Sequence, residues 1–199
     1  MAHRFNCPAE SQKRLVYGIP LVGFNPGVQM IVNEQDLTRL AAELGRQLLS
    51  AKAQVSTAES CTGGGIAEAI TRIPGSSAWF EAGYVTYSNA QKTKQLAVPS
   101  QLFGQVGAVS REVVEAMVRG AQAQSGARYA VAVSGVAGPD GGSPEKPVGT
   151  VWLAWGDGEQ LFSERCLFPG DRTEVRRQTV EAALAGLLRL IAQENPNAG

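Results

Sequence analysis

The chain has 199 residues, enough for one domain with a sizeable core, and its 18 Lys and Arg residues balance its 18 Asp and Glu residues. A formal net charge of +0 gives no global electrostatic attraction to nucleic acid or to an anionic membrane surface. Its 3 cysteines are widely spaced and form no C-x-x-C pair, so they indicate neither a zinc site nor a disulfide framework, and a reducing, cytoplasmic setting fits best.

Histidine usage removes several classes of catalytic site. The only histidine, His3, lies near the N-terminus, so a Ser-His-Asp or Cys-His arrangement inside the core of one chain is excluded. A histidine-rich metal site is excluded for the same reason. A serine nucleophile in this protein would need a lysine, a tyrosine or a carboxylate as its base.

Residues 1–30 are predicted to form an N-terminal extension outside the core, and residues 31–195 to form the domain. An apolar run over residues 15–24 superficially resembles a secretory signal. Gly and Pro interrupt it, no clear cleavage site follows, and it is too short to span a bilayer. Met30 directly precedes the first helix, so translation from Met30 is an alternative that N-terminal sequencing of the native protein would test.

Helical and strand patterns alternate from there. Asn33 is predicted to cap a helix over residues 34–50. Its apolar stripe consists of Leu37, Leu40, Ala41, Leu44 and Leu48. A strand is predicted over residues 53–57, followed by a glycine turn and by a helix that ends near Ile73, before a Pro-Gly pair.

The middle of the chain predicts one strand and two capped helices. Aromatic and β-branched residues favour a strand over residues 79–87. Ser88 is expected to cap a short helix that ends near Ala97, and Ser110 is expected to cap a longer one. The stripe of that longer helix consists of Val113, Val114, Met117, Val118 and Ala121.

The last third of the chain predicts three strands and a helix. Residues 129–133 form a compact apolar strand of the kind that is buried on both faces. Residues 148–155 and 160–168 are predicted to pair as a hairpin. An Asp-x-x-Glu pair, Asp171 and Glu174, opens a final helix. The whole pattern predicts a three-layer α/β/α sandwich with a mixed, mostly parallel sheet.

The most informative segment is Ala58-Glu59-Ser60-Cys61-Thr62-Gly63-Gly64-Gly65. It lies where a predicted strand passes into a predicted helix, so the chain can turn tightly and free N–H groups point at whatever binds there. The segment suits Ser60 as a nucleophile with an oxyanion pocket, a plain anion site, or a turn that only caps the helix. Cys61 is a rival nucleophile, although a small buried filler is its more ordinary role.

Tyr87 and Lys92 form a second candidate group. Tyr87 is expected at the end of a strand, and Lys92 at the start of the next helix, where the macrodipole and partial burial lower the pKa of a lysine. A neutral lysine is the base that a serine nucleophile needs. Without the Ser60 segment, a solvated surface lysine is the simpler interpretation.

Two later segments are typical of ligand contacts. The glycine-rich run over residues 134–142 follows a buried strand at the carboxyl end of the sheet, where its N–H groups can cradle a phosphate. It matches neither G-x-G-x-x-G nor a P-loop, so it does not indicate triphosphate chemistry, and an ordinary long loop is the alternative. Arg172 and Arg176 suit a phosphate or carboxylate, or simply balance Glu174 at the surface.

Together these segments resemble the CinA C-terminal domain family over roughly residues 34–192. The matching pieces are residues 58–64, Gly83 with 87–92, 107–110, 134–142 and 169–172. The resemblance implies an amidohydrolase of pyridine nucleotide salvage that converts nicotinamide mononucleotide to nicotinate mononucleotide and ammonia. It also implies that Ser60 is the nucleophile, Lys92 its base and Tyr87 the third catalytic member.

The remaining roles follow from the same resemblance. Backbone N–H groups of Thr62, Gly63 and Gly64 are expected to hold the oxyanion. The phosphate and ribose are assigned to Arg172 and to the loop glycines Gly135, Gly138, Gly141 and Gly142. No metal and no cofactor are expected, because side chains supply the nucleophile. The expected partner is a small-molecule substrate, not nucleic acid or a membrane, and a homodimer is compatible with the fold.

The sequence departs from the family pattern in two respects, and two rival interpretations of its function remain. The family often carries a large N-terminal domain with nucleotide pyrophosphatase chemistry, which this sequence does not show, and residues 1–30 lie outside the pattern. One rival is a non-catalytic nucleotide- or phosphate-binding module linked to competence or DNA-damage operons. The other is a broader amidase or esterase with a Ser-Lys centre. The complete set of Ser60, Tyr87 and Lys92 favours an enzyme.

Overall fold

A computed structural model describes residues 15–16, 19–20, 33–158 and 160–194. The predicted extension over residues 1–30 lies outside the described residues, apart from two short antiparallel strands, β1 (Leu15–Val16) and β2 (Ile19–Pro20). The elements that build the domain are α1 (Glu34–Ser50), β3 (Val55–Glu59), α2 (Gly65–Thr71), a 3-10 turn (Ser76–Ala78), β4 (Phe80–Val85), α3 (Asn89–Leu96), α4 (Gln101–Gln105), α5 (Arg111–Ser125), β5 (Tyr129–Gly135), β6 (Thr150–Gly156), β7 (Leu161–Leu167) and α6 (Arg172–Glu194).

Helix α1 has the predicted bounds, and the predicted cap is confirmed. Asn33 accepts a hydrogen bond from the Asp36 N–H, and the Asp36 carboxylate accepts one from the Asn33 N–H. This reciprocal pair is a local capping box that satisfies donors at the helix start.

Two sequence predictions need correction, and one short helix was not predicted. The strand predicted over residues 53–57 begins and ends two residues later, at Val55–Glu59, so Ser60 directly follows it. Helix α4 was not predicted, because five residues are too few to show a helical period. Ser110 holds the N-cap position of α5, but its hydroxyl donates to the Gly107 carbonyl at 2.8 Å and caps no helical N–H.

Five strands form the main sheet, in the order β4-β3-β5-β6-β7. Strands β4, β3 and β5 pair in parallel, whereas β6 is antiparallel to both of its neighbours. Four strands therefore run in one direction and only β6 opposes them, which confirms the mixed, mostly parallel sheet. The hairpin of β6 and β7 is the one that alternation in residues 160–168 predicts.

Helices cover both faces of this sheet and complete three layers. One buried cluster packs α1, α2 and α6 against one face through leucines such as Leu44 and Leu184. The second packs α3 and α5 against small residues on the other face, among them Ala58 and Ala132. Apolar area removed from water on both faces stabilises the domain.

The register of the three parallel strands positions the site. Glu59, the last residue of β3, pairs with Val85 of β4 on one side and with Val133 of β5 on the other. The carboxyl ends of the three strands therefore meet at one edge of the sheet, which is where open α/β sheets place ligands. Ser60 lies at the centre of that edge.

Candidate active site

Ser60 is held from both sides at the end of β3. Its N–H donates to the Val133 carbonyl of β5 at 3.1 Å, and the Thr86 N–H, just after β4, donates to the Glu59 carbonyl at 2.9 Å. Ser60 is half-buried, so its hydroxyl is within reach of a ligand while its backbone is fixed. The strand-to-turn transition thus presents one hydroxyl at a defined place.

Lys92 reaches this hydroxyl from helix α3. Its Nζ lies 2.9 Å from Ser60 Oγ, and it donates to the Thr86 carbonyl at 2.7 Å. The side chain is 1% exposed. Ser88 caps α3 by accepting from the Gln91 N–H, as predicted, and the first turn of the helix then aims Lys92 toward β3. The solvated-lysine alternative is therefore wrong.

Burial changes the protonation of Lys92. Removal from water lowers the pKa of this lysine from its ordinary 10.5 to about 8. A neutral amine has two N–H donors and one lone pair. The carbonyls of Thr86 and Tyr87, at 2.7 and 3.5 Å from Nζ, suit the two donors, which leaves the lone pair for the Ser60 hydroxyl.

The structure favours the filler role of Cys61 over that of a rival nucleophile. The side chain is 6% exposed, and burial, together with the nearby charge of Glu59, raises the pKa of its thiol to about 12. Only a thiolate is strongly nucleophilic, so burial and the raised pKa disfavour this thiol as a nucleophile. Cys61 is instead part of the buried cluster beneath α1, α2 and α6, the role of a small filler.

Glu59 is the residue of the candidate site whose contacts sequence reasoning missed, although it stands inside the Ser60 motif. Its carboxylate is fully buried and accepts from the Thr62 hydroxyl at 2.6 Å and from the N–H groups of Gly64, Ile66 and Ala67 at 3.1, 3.0 and 2.9 Å. The signal available in the sequence was a carboxylate ending an otherwise uncharged strand, since a buried charge needs several donors.

These contacts correct two expectations for the glycine turn. The Gly64 N–H donates to Glu59 and the Gly63 N–H donates to the Ser60 carbonyl at 3.1 Å, so neither is free for an oxyanion. A plain anion site at the start of α2 is also excluded, because Glu59 already occupies it. Among the described residues, the Thr62 and Cys61 N–H groups donate to no other residue and remain candidate oxyanion donors.

Tyr87 contacts the Ser60 and Lys92 pair only through its main chain. Its side chain is 62% exposed, and its hydroxyl accepts from the Arg172 guanidinium at 2.9 Å. Among the described residues no hydrogen bond joins that hydroxyl to Ser60 or Lys92. The predicted third catalytic member therefore lies at the exposed side of the site, which Tyr87 and Arg172 form and which is called the rim below. Only the carbonyl of Tyr87 approaches the lysine.

Arg172 connects the rim to the glycine-rich loop. Besides Tyr87, its guanidinium donates to the Gly138 carbonyl at 2.9 Å. The structure thus brings together a residue after β4, the loop after β5 and the first turn of α6. The sequence placed Arg172 in the site without indicating which groups it contacts.

The loop glycines have separate reasons for being glycine. Gly135 belongs to β5, where a Cβ would lie 2.6 Å from the Val151 side chain of β6, so close strand packing requires it. Gly138 has a φ of +81°, and a Cβ there would lie 2.5 Å from Val148. Gly141 and Gly142 are exposed, and their N–H groups donate to no other described residue, so they stay candidates for a ligand.

Arg176 is a second arginine at the turn. It donates to the Thr62 carbonyl at 2.7 Å and lies beside Gly63. The sequence suggested a phosphate, a carboxylate or Glu174 as the partner of Arg176, and did not indicate the Thr62 carbonyl, which lies 114 residues earlier in the chain.

Among the described residues, no three His, Cys, Asp or Glu side chains lie close enough together to hold a metal ion. In the same part of the chain, every helix is too short or too polar to cross a membrane.

Comparisons with known proteins agree on one family. A sequence profile described as the CinA C-terminal domain matches residues 37–191. The chain is 80% identical over 154 residues to a protein of Pseudomonas putida named nicotinamide-nucleotide amidohydrolase PncC, a match that covers 77% of this chain and 96% of that protein. It is 49% identical over 164 residues to the protein of that name from Escherichia coli K12, covering 81% and 99%.

Solved structures share the fold. The crystal structure of the competence/damage inducible protein CihA from Agrobacterium tumefaciens superposes with a TM-score of 0.76 at 41% identity. That match covers 82% of this chain and 99% of the other.

Proposed function

The chain belongs to the CinA C-terminal domain family, and from that premise we propose that it hydrolyses the carboxamide of nicotinamide mononucleotide to release ammonia and nicotinate mononucleotide. The names of the two PncC relatives support this substrate. The reaction would return a pyridine nucleotide to salvage.

One observation carries the chemistry: Lys92 Nζ lies 2.9 Å from Ser60 Oγ, on a lysine that burial makes easy to deprotonate. A serine hydroxyl is a weak nucleophile until a base removes its proton. The single histidine lies at position 3, so another side chain has to be the base, and Lys92 is the basic side chain that contacts Ser60. A protein that only binds a nucleotide has no use for such a pair.

The proposed reaction has two halves. Neutral Lys92 takes the Ser60 proton while Oγ bonds to the carboxamide carbon, and the N–H groups of Thr62 and Cys61 bind the developing oxyanion. The Lys92 ammonium then gives its proton to the amide nitrogen as the C–N bond breaks, so that the nitrogen leaves as ammonia. Water attacks the resulting ester with Lys92 again as the base, and Ser60 is restored as the carboxylate product leaves.

The rim supplies recognition in this proposal. Arg172 keeps donors beyond those used for Tyr87 and Gly138, and a guanidinium suits a phosphate. The exposed N–H groups of Gly141 and Gly142 can add further hydrogen bonds to the phosphate or ribose. Tyr87 is then a group that Arg172 orients toward the substrate.

Ammonia release from nicotinamide mononucleotide tests the proposal, with wild type compared against Ser60→Ala and Lys92→Ala. Lys94→Ala is the matched control, since Lys94 lies on the same helix and is exposed. We expect turnover in wild type and in the control, and none in the other two. Binding of the mononucleotide by wild type without ammonia release would replace this proposal with the binding module.

A further inference from the structure

We infer that Glu59 is a positioning residue that holds the turn carrying Ser60 in its reactive geometry. The inference rests on the proposed function in one respect, that Ser60 is the nucleophile. The proposed reaction assigns no role to the Glu59 side chain, because this side chain touches no reacting atom.

The Glu59 carboxylate spans the whole turn. One oxygen accepts from the Thr62 hydroxyl and from the N–H groups of Gly64 and Ile66, at 2.6, 3.1 and 3.0 Å, and the other accepts from Ala67 at 2.9 Å. These donors begin two residues after Ser60 and continue into the first turn of α2. Four hydrogen bonds to one carboxylate leave the segment little freedom.

Helix α2 lacks the ordinary means of satisfying its first N–H groups. Its N-cap residue is Gly64, which has no side chain to accept a hydrogen bond. Gly64 has a φ of 97°, which other residues rarely adopt. Val55 packs toward α1, α2 and α6, and alternation along β3 puts Glu59 on that same face. The buried carboxylate therefore caps α2 from the strand beneath it, where a negative charge is favoured.

The backbone of Glu59 ties the same residue to the lysine. The Thr86 N–H donates to the Glu59 carbonyl at 2.9 Å, and the Thr86 carbonyl accepts from Lys92 Nζ at 2.7 Å. The side chain of Glu59 thus holds the turn after Ser60, while its main chain fixes the residue that orients the base. Both members of the pair take their positions from one residue.

A neutral amide cannot replace this carboxylate. In Glu59→Gln the new NH₂ group would face donors, so at least one N–H of the turn loses its acceptor. We expect the turn to relax and the Ser60 hydroxyl to leave its contact with Lys92. A displacement of about 1 Å is enough to lower the rate by about 100-fold.

The first experiment measures kcat and KM for nicotinamide mononucleotide in Glu59→Gln, with Glu68→Gln as the matched control. Glu68 is an exposed carboxylate on α2, the helix whose first N–H groups Glu59 accepts, and it pairs with Arg72. We expect kcat to fall by about 100-fold in Glu59→Gln, with KM within about threefold of wild type, and no change in the control. An unchanged kcat, a change confined to KM, or an equal loss in the control would overturn the inference.

A second measurement separates this inference from the choice of substrate. A fluorophosphonate, which phosphonylates reactive serines with loss of fluoride, reports on Ser60 without any nicotinamide compound. We expect labelling of wild type at Ser60, and slower labelling of Glu59→Gln by a similar factor. Equal labelling rates would overturn the inference even if the mononucleotide proves not to be the substrate. An unlabelled wild type would overturn Ser60 as the nucleophile, and this inference with it.

Thr62→Val keeps the inference testable if Glu59→Gln does not fold. It removes one of the four hydrogen bonds to the carboxylate and keeps the backbone donors. We expect a smaller loss of kcat, about tenfold, with KM unchanged. A kcat equal to that of wild type in folded Thr62→Val would overturn the inference.

Discussion

The interior and the rim of the candidate site are built differently. In the interior, Ser60 and Lys92 form a contact of 2.9 Å, and the lysine is 1% exposed. At the rim, Tyr87 and Arg172 form a contact of equal length, but Tyr87 is 62% exposed. Equal distances therefore join groups in very different surroundings.

This difference in exposure indicates which region affects the chemical step and which affects substrate binding. Electrostatic and hydrogen-bond interactions are stronger where water is excluded, so the interior can shift the pKa of a lysine and fix a nucleophile. Exposed contacts contribute little by themselves, and they can exchange partners when a ligand arrives. Chemistry should therefore depend on the interior and recognition on the rim.

The largest expected effect tests the interior. Lys92→Met should lower kcat by at least about 1,000-fold, because Ser60 loses its base. It should also raise the free energy of unfolding at pH 7 by about 1 kcal/mol, since an apolar side chain of similar length replaces a buried amine. Ammonia release and urea denaturation measure the two effects.

Lys94→Met, a lysine on the exposed face of the same helix, is the control and should change neither quantity. Retention of more than a tenth of wild-type activity in Lys92→Met would contradict the division between interior and rim.

The pH dependence of kcat/KM should reflect the protonation of Lys92. The pKa of Lys92 is lowered to about 8, and only the neutral amine is a base, so kcat/KM should fall about tenfold for each pH unit below that value. A profile that is flat between pH 6 and 8 would show that another group is the base.

The free energy of unfolding should rise with pH in the range where Lys92 is protonated only in the unfolded chain. Between about pH 8 and 10.5 the unfolded chain keeps the Lys92 proton while the folded chain has lost it. The free energy of unfolding therefore rises across that window, by up to about 3 kcal/mol from this group. Comparing wild type with Lys92→Met isolates the rise, because other groups titrate alike in both. An identical pH dependence in the two proteins would contradict the pKa shift.

The rim should show a binding effect instead. Arg172→Ala should raise KM for the mononucleotide by about tenfold, with kcat changed by less than threefold, because a phosphate contact is made equally in the ground and transition states. Arg172→Lys keeps the charge but loses the fork that joins Tyr87 to Gly138, so it should recover only part of the affinity. A loss confined to kcat would place Arg172 in the interior half of the site.

The smallest effect is expected at Tyr87. Tyr87→Phe removes a hydroxyl that contacts Arg172 and neither member of the catalytic pair, so kcat should fall by less than about fivefold. A fall of 100-fold or more would restore Tyr87 as the third catalytic member that the family resemblance implies. Steady-state kinetics decides between them.

Sequence patterns predicted most of the fold, and for local reasons. Asn33 and Ser88 lie within three residues of the N–H groups they cap, and the apolar stripe of α1 is a repeat along one helix. The strand before Ser60 was placed two residues early, since small residues such as Ala53 mark the ends of strands weakly. Alternation of strands and helices then sufficed to predict the layers.

The candidate pair could also be predicted, because Ser60 and Lys92 each follow a strand end in a chain that lacks a usable histidine. Which donors and acceptors meet was decided by tertiary structure alone. The Lys92 and Ser60 contact spans 32 residues and the Arg172 and Tyr87 contact spans 85. The capture of the α2 N–H groups by Glu59 depends on the strand passing directly beneath the helix. Composition and spacing do not predict these long-range contacts, because the contacts depend on where the packed sheet brings separate segments together.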